Sequence, residues 1–358
     1  MIIFTKLNIY ILLCVIVNIV VVLLDLKDRK LLSELDFDAR VPLSTLGNKL
    51  GLSKQVVKYR IEKLQEQGII KGFYTDINAS KLGFEIYLVY LKFHKLSSEL
   101  ETKFIQHISN QNNVGVNTSL NGIWDYCIGI WAKNSIHFKK IYREIMQDYE
   151  MYVKSKTIMI ETDFYYYKPR QLIESSNEVQ VQMSQELEAF KLDILDEILL
   201  DELSRNARIS LVKLAEKTNM TANGVRNRIK RLEKKNIILS YRVMLDYLKL
   251  GFLHHRVFLH LDNLTSKKKK EIIYFLGNQK QIISITETIG YCELEFRSIT
   301  KDINEFYELI EKIKKQFSEN IKEYSNILYF KFHETLNYFP ISKKAEPLNV
   351  LSTGALYK

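Results

Sequence analysis

The chain contains the same module twice, at a fixed offset of 168 residues and almost without gaps. Residues 24–70 align with residues 192–238 without an insertion, and 18 of these 47 positions are identical. The register continues downstream, where Lys-Leu-Gly-Phe at residues 81–84 matches the same four residues at 249–252. A period this long exceeds the 20–50 residues of solenoid repeats. We therefore interpret the chain as a duplication, in which any function of the module is present in two versions.

Composition favours an anionic partner and a reducing compartment. The 358 residues carry a formal net charge of +10, and 46% of them are apolar, which is enough for well-packed cores. A basic chain is typical of proteins that bind nucleic acid or a membrane surface. The three cysteines have neither paired nor zinc-like spacing, so we predict no disulfide framework and no metal site. We also expect no cofactor and no catalytic residues.

The residues before the first module are unusually apolar. From Leu7 to Leu24 only Asn8 and Asn18 are polar, and 18 helical residues would span about 27 Å, close to a bilayer core. We interpret residues 1–23 first as a start codon assigned too early, and second as a membrane anchor that leaves the rest in the cytoplasm. A poorly packed, β-rich tail ranks third. A signal peptide is disfavoured, because no small-residue cleavage site follows.

The first third of each module has the periodicity of helices. An apolar stripe opens each copy. It comprises Leu26, Leu31, Leu32 and Leu35 in the first copy, and Ile194, Ile198, Leu199 and Leu203 in the second. A short second helix is predicted over Leu43–Leu50 and over Leu211–Thr218. A break follows, and then a helix-capping hydroxyl at Ser53 or Thr221.

The third helix of each module is apolar on one face and basic on the others. Its apolar positions are Val57, Ile61 and Leu64 in the first copy, and Val225, Ile229 and Leu232 in the second. A short helix, a tight turn and a basic helix are the arrangement that places a recognition helix in the DNA major groove. Residues 69–74 predict a following strand, hence a winged variant. A lysine-rich face is often only solvated surface, but its presence in both copies favours DNA binding.

The rest of each module alternates strands and helices. In the first copy we predict strands over 84–94, 114–120, 123–132 and 157–167, with helices over 97–111 and 135–153. The second copy repeats this β-α-β-β-α-β order, which is that of the ferredoxin-like fold. The predicted fold class is therefore α+β, with two winged helix-turn-helix domains, each followed by a ferredoxin-like βαββαβ domain. The predicted units are an apolar segment (1–23), winged helix-turn-helix domains (24–78 and 191–246), βαββαβ domains (79–169 and 247–340), a linker (170–190) and a tail (341–358).

Together these residues resemble the Lrp/AsnC, or feast/famine, family of prokaryotic transcription regulators. The shared motifs are Leu-Asp-x-x-Asp from Leu24 and Leu192, Ala-Arg from Ala39 and Ala207, Arg-Ile-x-x-Leu from Arg60 and Arg228, Leu-Gly after the wing, and a Gly-x-x-Asp hairpin. The resemblance covers nearly the whole chain after Leu24, once per copy. It implies a sequence-specific DNA-binding regulator, whose βαββαβ domains sense a small effector, typically an amino acid, and pair across their sheets.

The resemblance also places effector binding at the hairpins. The corresponding residues are Gly122 and Asp125 in the first copy, and Gly290 and Glu293 in the second. Glycine permits a turn with positive φ, and a carboxylate there could meet a ligand ammonium. The second copy departs from the pattern, because glutamate is one methylene longer than aspartate. The alternative is that each motif simply forms a hairpin.

We predict the DNA contacts from the third helices. Base edges should be read by Lys54, Gln55, Lys58 and Tyr59, and by Ala222, Asn223, Arg226 and Asn227. Phosphates should be contacted by Lys63, Lys230 and Arg231. The predicted DNA-binding set also includes Ser53, Thr221, Arg60 and Arg228. For the arginines that recur in both copies, Arg40, Arg60, Arg208 and Arg228, an ion pair with Asp28 or Asp196 is an equal alternative.

The two third helices differ at all four base-reading positions, so we predict that the two heads read different half-sites. The sensor domains pair either within one chain, which then mimics a family dimer, or between chains, giving a homodimer with four heads. We place the protein in the cytoplasm on the nucleoid, with a membrane tether only if residues 1–24 are expressed.

Two other functions fit the sequence less well. Siroheme decarboxylases resemble these regulators and can use paired modules, but the first copy keeps its hairpin, and no His-Tyr cluster is evident. His254, His255 and His260 lie on one predicted strand, where alternation sends His255 to the opposite face, so we expect packing and not metal binding.

Overall fold

A computed structural model describes residues 24–94, 96–173, 179–184 and 190–332. The predicted apolar segment 1–23 and the tail 341–358 lie outside the described residues. Within the described ranges, no helix combines the length and the apolar character needed to cross a membrane.

Each copy folds into a three-helix head, a wing strand and a βαββαβ domain. The first copy comprises α1 (Leu26–Phe37), α2 (Leu43–Leu50), α3 (Lys54–Glu66), β1 (Ile70–Ile77), β2 (Glu85–Phe93), α4 (Ser98–Ser109), β3 (Val114–Gly122), β4 (Tyr126–Ala132), α5 (Ser135–Met146), β5 (Val153–Tyr167) and β6 (Val179–Ser184). The second comprises α6 (Ile194–Arg205), α7 (Leu211–Thr218), α8 (Ala222–Lys234), β7 (Ile238–Leu245), β8 (Leu253–Leu261), α9 (Ser266–Gly277), β9 (Ile282–Ile289), β10 (Leu294–Thr300), α10 (Ile303–Gln316) and β11 (Ile321–Phe332).

The helices of the heads begin and end where the sequence supplies caps. Asp25 accepts a hydrogen bond from the N–H of Asp28 at the start of α1. The turn between α2 and α3 uses Gly51 at φ 62°, and Asn219 takes the same left-handed conformation at φ 51° in the second head. The predicted bounds of α2 and α7 are confirmed.

The predicted core faces of the third helices are also confirmed, since all six apolar positions are buried. The prediction of the apolar stripe on the first helix of each head was wrong at its first residue. Leu26 and Ile194 are 62% and 73% exposed, because each is the first residue of its helix and lies beyond the packed core.

The wings join the two heads in a sheet of their own. Strand β1 pairs antiparallel with β7, from Ile70 opposite Leu245 to Ile77 opposite Ile238. Helix α6 packs on β1 and α1 packs on β7, so each head lies against the wing of the other copy. The two heads of one chain therefore form one unit.

The two βαββαβ domains close into a ring of eight strands. The strand order is ferredoxin-like in both domains, β5-β2-β4-β3 in the first and β11-β8-β10-β9 in the second. The two sheets join where β3 pairs with β11 and where β5 pairs with β9. The helices pack outside the sheet on two separate cores, and a third core fills the inside of the ring. The sensor domains thus pair within one chain, the first of the two alternatives given above.

Several elements differ from the predicted bounds. Strands β4 and β5 begin at Tyr126 and Val153, where 123 and 157 were predicted. Helix α5 ends at Met146, seven residues before the predicted end at 153, and a short 3₁₀ turn, Glu150–Tyr152, leads directly into β5. The predicted linker 170–190 contains a strand, β6, which pairs with the end of β5. Arg170 in this segment donates to the carbonyls of Gly277 and Gln279, at 2.7 and 2.6 Å, which ties it to the second copy.

Candidate nucleic-acid interface and sensor hairpins

The third helices, α3 and α8, are the candidate recognition elements. The hydroxyl of Ser53 accepts from the N–H of Val56 at 3.3 Å, and that of Thr221 from the N–H of Gly224 at 3.1 Å. These caps satisfy N–H groups that a helix otherwise leaves open. Because the apolar stripes are buried, the opposite faces point outward.

The predicted base-reading side chains lie on these outward faces, apart from Ala222, which is half-buried. The exposed predicted contacts are Lys54, Gln55, Lys58, Tyr59 and Lys63 on α3, and Asn223, Arg226, Asn227, Lys230 and Arg231 on α8. Tyr59 is 62% exposed, so packing in the core does not explain its aromatic ring. Both faces offer hydrogen-bond donors, with different chemistry in the two heads.

On α8 the two base-reading candidates contact each other. Arg226 Nη1 donates to Asn223 Oδ1 at 2.8 Å, while both side chains stay exposed. This hydrogen bond orders the guanidinium along the outer face of the helix. On α3 the corresponding Lys58 contacts Glu62 at 3.5 Å instead, so the two heads differ in how they present a cation.

Arg60 and Arg228 connect the third helix to the first helix of the same head. Arg60 Nη1 donates to Asp25 and Asp28 at 2.7 and 2.6 Å. The N–H of Asp28 and the guanidinium of Arg60 hold the pKa of Asp25 below its ordinary value. Arg228 makes the matching contacts with Asp193 and Asp196. The expected pairing with Asp28 and Asp196 is present, and it ties each recognition helix to the first helix of its head.

Arg231, predicted as a phosphate contact, also bonds the carboxylate of Asp196, which is almost fully buried. Lys230 on the adjacent position makes no ion pair among the described residues, so it is the better placed of the two for a phosphate.

Arg40 and Arg208 do not pair with Asp28 or Asp196, and instead hold the two heads together. Arg40 Nη1 donates to the carbonyl oxygens of Ala207 and Ile209 at 2.5 and 3.2 Å. Arg208 reciprocates with the carbonyl oxygen of Ala39. Since the acceptors are main-chain carbonyls in the other copy, these arginines bond each head to the other.

The predicted sensor hairpins lie where the two copies meet. Gly122 packs against the Asn326 carbonyl of β11, and Gly290 against the Ile158 carbonyl of β5. A Cβ on Gly290 would approach the Ile158 oxygen to 2.6 Å, and its φ of 126° also favours glycine. The hairpin glycines therefore permit close contact between the copies.

The hairpin carboxylates differ in how many oxygens are engaged. Asp125 accepts from Lys92 Nζ at 2.6 Å and from the N–H of Phe93 at 2.9 Å, one bond to each oxygen. Glu293 Oε2 accepts from the N–H of Leu261 at 2.7 Å, and its other oxygen has no partner among the described residues. Both acids anchor the hairpin, and only Glu293 keeps an open oxygen.

The histidines serve as packing residues. His254 stacks on Tyr329 at 4.3 Å inside the ring, and His255 stacks on Phe306 at 4.0 Å on the opposite face. Burial lowers the pKa of His255 to about 4. Among the described residues, no group of three or more His, Cys, Asp or Glu side chains is suited to hold a metal ion.

One buried cluster was missed by reasoning from the sequence. Arg242 Nη2 on β7 donates to Asp36 Oδ1 on α1 at 2.8 Å, and the Tyr166 hydroxyl on β5 donates to the same carboxylate at 3.2 Å. It joins a head, a wing and a sensor strand. The available signal was a charged residue, Arg242, in the middle of a mostly apolar strand.

Comparison with known proteins agrees with this architecture. The AsnC-type helix-turn-helix domain matches twice, at residues 24–65 and 192–233. The transcriptional regulator AzlB of Bacillus subtilis is 30% identical over 144 residues, which cover 40% of this chain and 92% of AzlB. An HTH-type transcriptional regulator of Pyrococcus furiosus is 29% identical over 131 residues, 36% of this chain and 84% of the relative. The siroheme decarboxylase NirDL superposes with a TM-score of 0.56 over 87% of this chain and 96% of its own, at 12% identity, a likeness of fold alone.

Proposed function

The chain belongs to the Lrp/AsnC family of transcriptional regulators, as a tandem of two modules, and we propose that one chain binds one asymmetric operator. The observation that carries this proposal is the antiparallel pairing of the two wings, β1 with β7, which joins both heads in one unit. A symmetric homodimer would present two equal heads and favour a palindrome. This chain presents Lys54, Gln55 and Lys58 on one head, against Ala222, Asn223 and Arg226 on the other.

Selection of operator fragments from random duplexes by the purified chain tests this function. We expect two unlike half-sites, about one helical turn apart, and an affinity that falls steeply as salt rises, because lysine and arginine release counterions from phosphates. A strictly palindromic consensus would refute the unequal heads. Absence of salt-sensitive binding to any duplex would refute the DNA-binding function as a whole.

Arg226→Ala should weaken binding to the selected operator by about 1–3 kcal/mol, because a bidentate contact with guanine would be lost. If Arg226 reads a base, the variant should also lose its sequence preference at one base pair of one half-site. The control is Arg205→Ala, which removes an exposed arginine of the same head that pairs with Asp201 on α6. Equal affinity losses in the two variants, with sequence preference intact, would remove Arg226 from base reading.

We also propose that an amino-acid effector binds at the sensor hairpins. The support is the open oxygen of Glu293, which could accept from a ligand ammonium beside the contact between the copies. The first hairpin is less available, because a ligand there would displace Lys92 from Asp125. Repeating the operator selection with each amino acid present tests this proposal, and unchanged affinities throughout would reject it.

The alternative function, siroheme decarboxylation, has one observation in its favour, the paired-module fold shared with NirDL. The inside of the ring is occupied by a core that includes Tyr90 and Trp124 and by the buried pair of Arg256 with Glu295, which leaves the alternative second. Absorbance spectra after incubation with siroheme distinguish the two functions, since a retained tetrapyrrole spectrum would favour the enzyme.

A further inference from the structure

The inside of the strand ring carries more charged side chains on the second module than on the first. At three inward positions the second module has Arg256, Glu295 and Arg297, where the first module has Leu88, Cys127 and Gly129 at the offset of 168. Arg256 and Glu295 are buried, with only 7% and 1% of their side chains exposed. A charged group in such a place requires a partner, since an uncompensated buried charge is strongly destabilising.

Part of this compensation comes from the first module. Arg256 Nη1 donates to the hydroxyl oxygen of Tyr90, and that hydroxyl donates to Glu295 Oε2 at 3.3 Å. Arg256 Nη2 also contacts Glu295 Oε1 at 3.4 Å. The residue of the second module that corresponds to Tyr90 is Phe258, which has no hydroxyl. A second copy of the second module could not supply this hydrogen bond.

Glu161 is the counterpart on the first module. Burial raises the pKa of Glu161 to about 7, and the negative charge of Glu295 adds to that rise. The positive charges of Arg256 and Arg297 oppose it. Glu161 lies on β5 opposite Thr288 of β9, so its strand borders the second module. The residue that corresponds to Glu161 in the second module is Tyr329.

Like modules would therefore pair badly. Two first modules would place both copies of Glu161 against Leu88 and Gly129, with no arginine opposite. Two second modules would bring together both copies of Arg256 and of Arg297, without Glu161 or the Tyr90 hydroxyl. Specificity of this kind comes from unfavourable contacts in the wrong pair as well as favourable contacts in the right one.

We propose that the inner face of each sensor domain is an interaction surface that accepts only the unlike module. The partner that fits the first module is the second module of the same chain, and the residues that select it are Glu161, Tyr90, Arg256 and Glu295. This surface excludes pairs of two identical modules, and such pairs would be the ones that carry two identical heads.

The full chain with a protease site inserted within residues 185–189 tests the proposal. After cleavage the two halves differ in mass, and they are unfolded together in urea, refolded by dilution and weighed as complexes by native mass spectrometry. Random pairing would give like and unlike pairs in equal total amounts. We expect the unlike pair to exceed each like pair by at least about tenfold. An unlike pair no more than about twofold more abundant than each like pair, as random pairing gives, would overturn the proposal.

Glu161→Gln supplies the second measurement, because it removes the charge of this half-buried side chain without changing its size. We expect this variant to give more pairs of two first modules than the chain that carries the protease site alone. The matched control is Glu144→Gln, on the exposed face of α5. Equal proportions of like pairs in the two variants would show that Glu161 does not select the partner.

Discussion

Asp36→Ala is expected to lower the free energy of unfolding by about 3–5 kcal/mol, because it leaves Arg242 charged in a buried site. The side chains of Asp36 and Arg242 are only 1% and 4% exposed. Burial alone would lower the pKa of Arg242, but Asp36, Tyr166, Tyr74 and Asp76 together outweigh it and keep that pKa well above its ordinary value. Asp76, the other nearby acid, is 3.8 Å from Arg242 and is a weaker partner.

Urea unfolding followed by circular dichroism measures this loss. The control is Asp201→Ala, which removes the acid of an exposed i,i+4 pair with Arg205 and should change stability by less than about 1 kcal/mol. Tyr166→Phe keeps the ring on which Arg242 stacks and removes only the hydroxyl, so an intermediate loss of about 1 kcal/mol is expected. If Asp36→Ala and Asp201→Ala unfold at the same urea concentration, the cluster does not carry the stability assigned to it.

The cluster also shows why one head depends on the sensor ring more than the other. At the position of Asp36 the second head has Ser204, whose hydroxyl bonds to the carbonyl oxygen of Asp201 in its own helix. The first head is therefore tied to β5 through Asp36 and Tyr166. The second head has no equivalent acid at this position, so the duplication has diverged in its internal connections as well as in its recognition faces.

Local signals in the sequence predicted the helices well, because caps and apolar spacing act within one or two helical turns. Ser53, Gly51 and the Val57-Ile61-Leu64 stripe were sufficient to place α2 and α3. Strand β6 had a local signal too, since Val179, Val181 and Met183 alternate with polar residues, but the polar composition of the segment outweighed it.

Contacts between the copies could not be predicted in the same way. Arg40 is simply a basic residue in the sequence, and its acceptor, the Ala207 carbonyl, lies 167 positions away. The closure of the ring likewise depends on which sheet edges meet, such as Ile160 opposite Ile289, and alternation within a strand carries no information about its partner. The hairpin carboxylates were identified by resemblance, but their bonds to Phe93 and Leu261 required the fold.

Inserting five base pairs between the two half-sites should weaken operator binding by about 100-fold or more. Five base pairs are about half a helical turn, so the second half-site would rotate to the opposite face of the duplex. The heads cannot follow, because the wings pair along their whole length and Arg40 and Arg208 bond each head to the other. If the second head cannot bind at the same time as the first, the gain in affinity from bivalent binding is lost. That gain is of the order of 10²–10⁴. Gel-shift titration at fixed salt measures the change.

The control duplex carries the same five base pairs outside the two half-sites, and its affinity should equal that of the original operator. A double variant, Arg40→Met with Arg208→Met, removes four of the hydrogen bonds between the heads and keeps the aliphatic stems. It should bind the original operator less tightly and lose less on insertion, because looser heads tolerate altered spacing. If the unmodified chain binds both spacings within about threefold, the heads move independently. The paired wings would then stabilise the chain without setting the spacing between the half-sites.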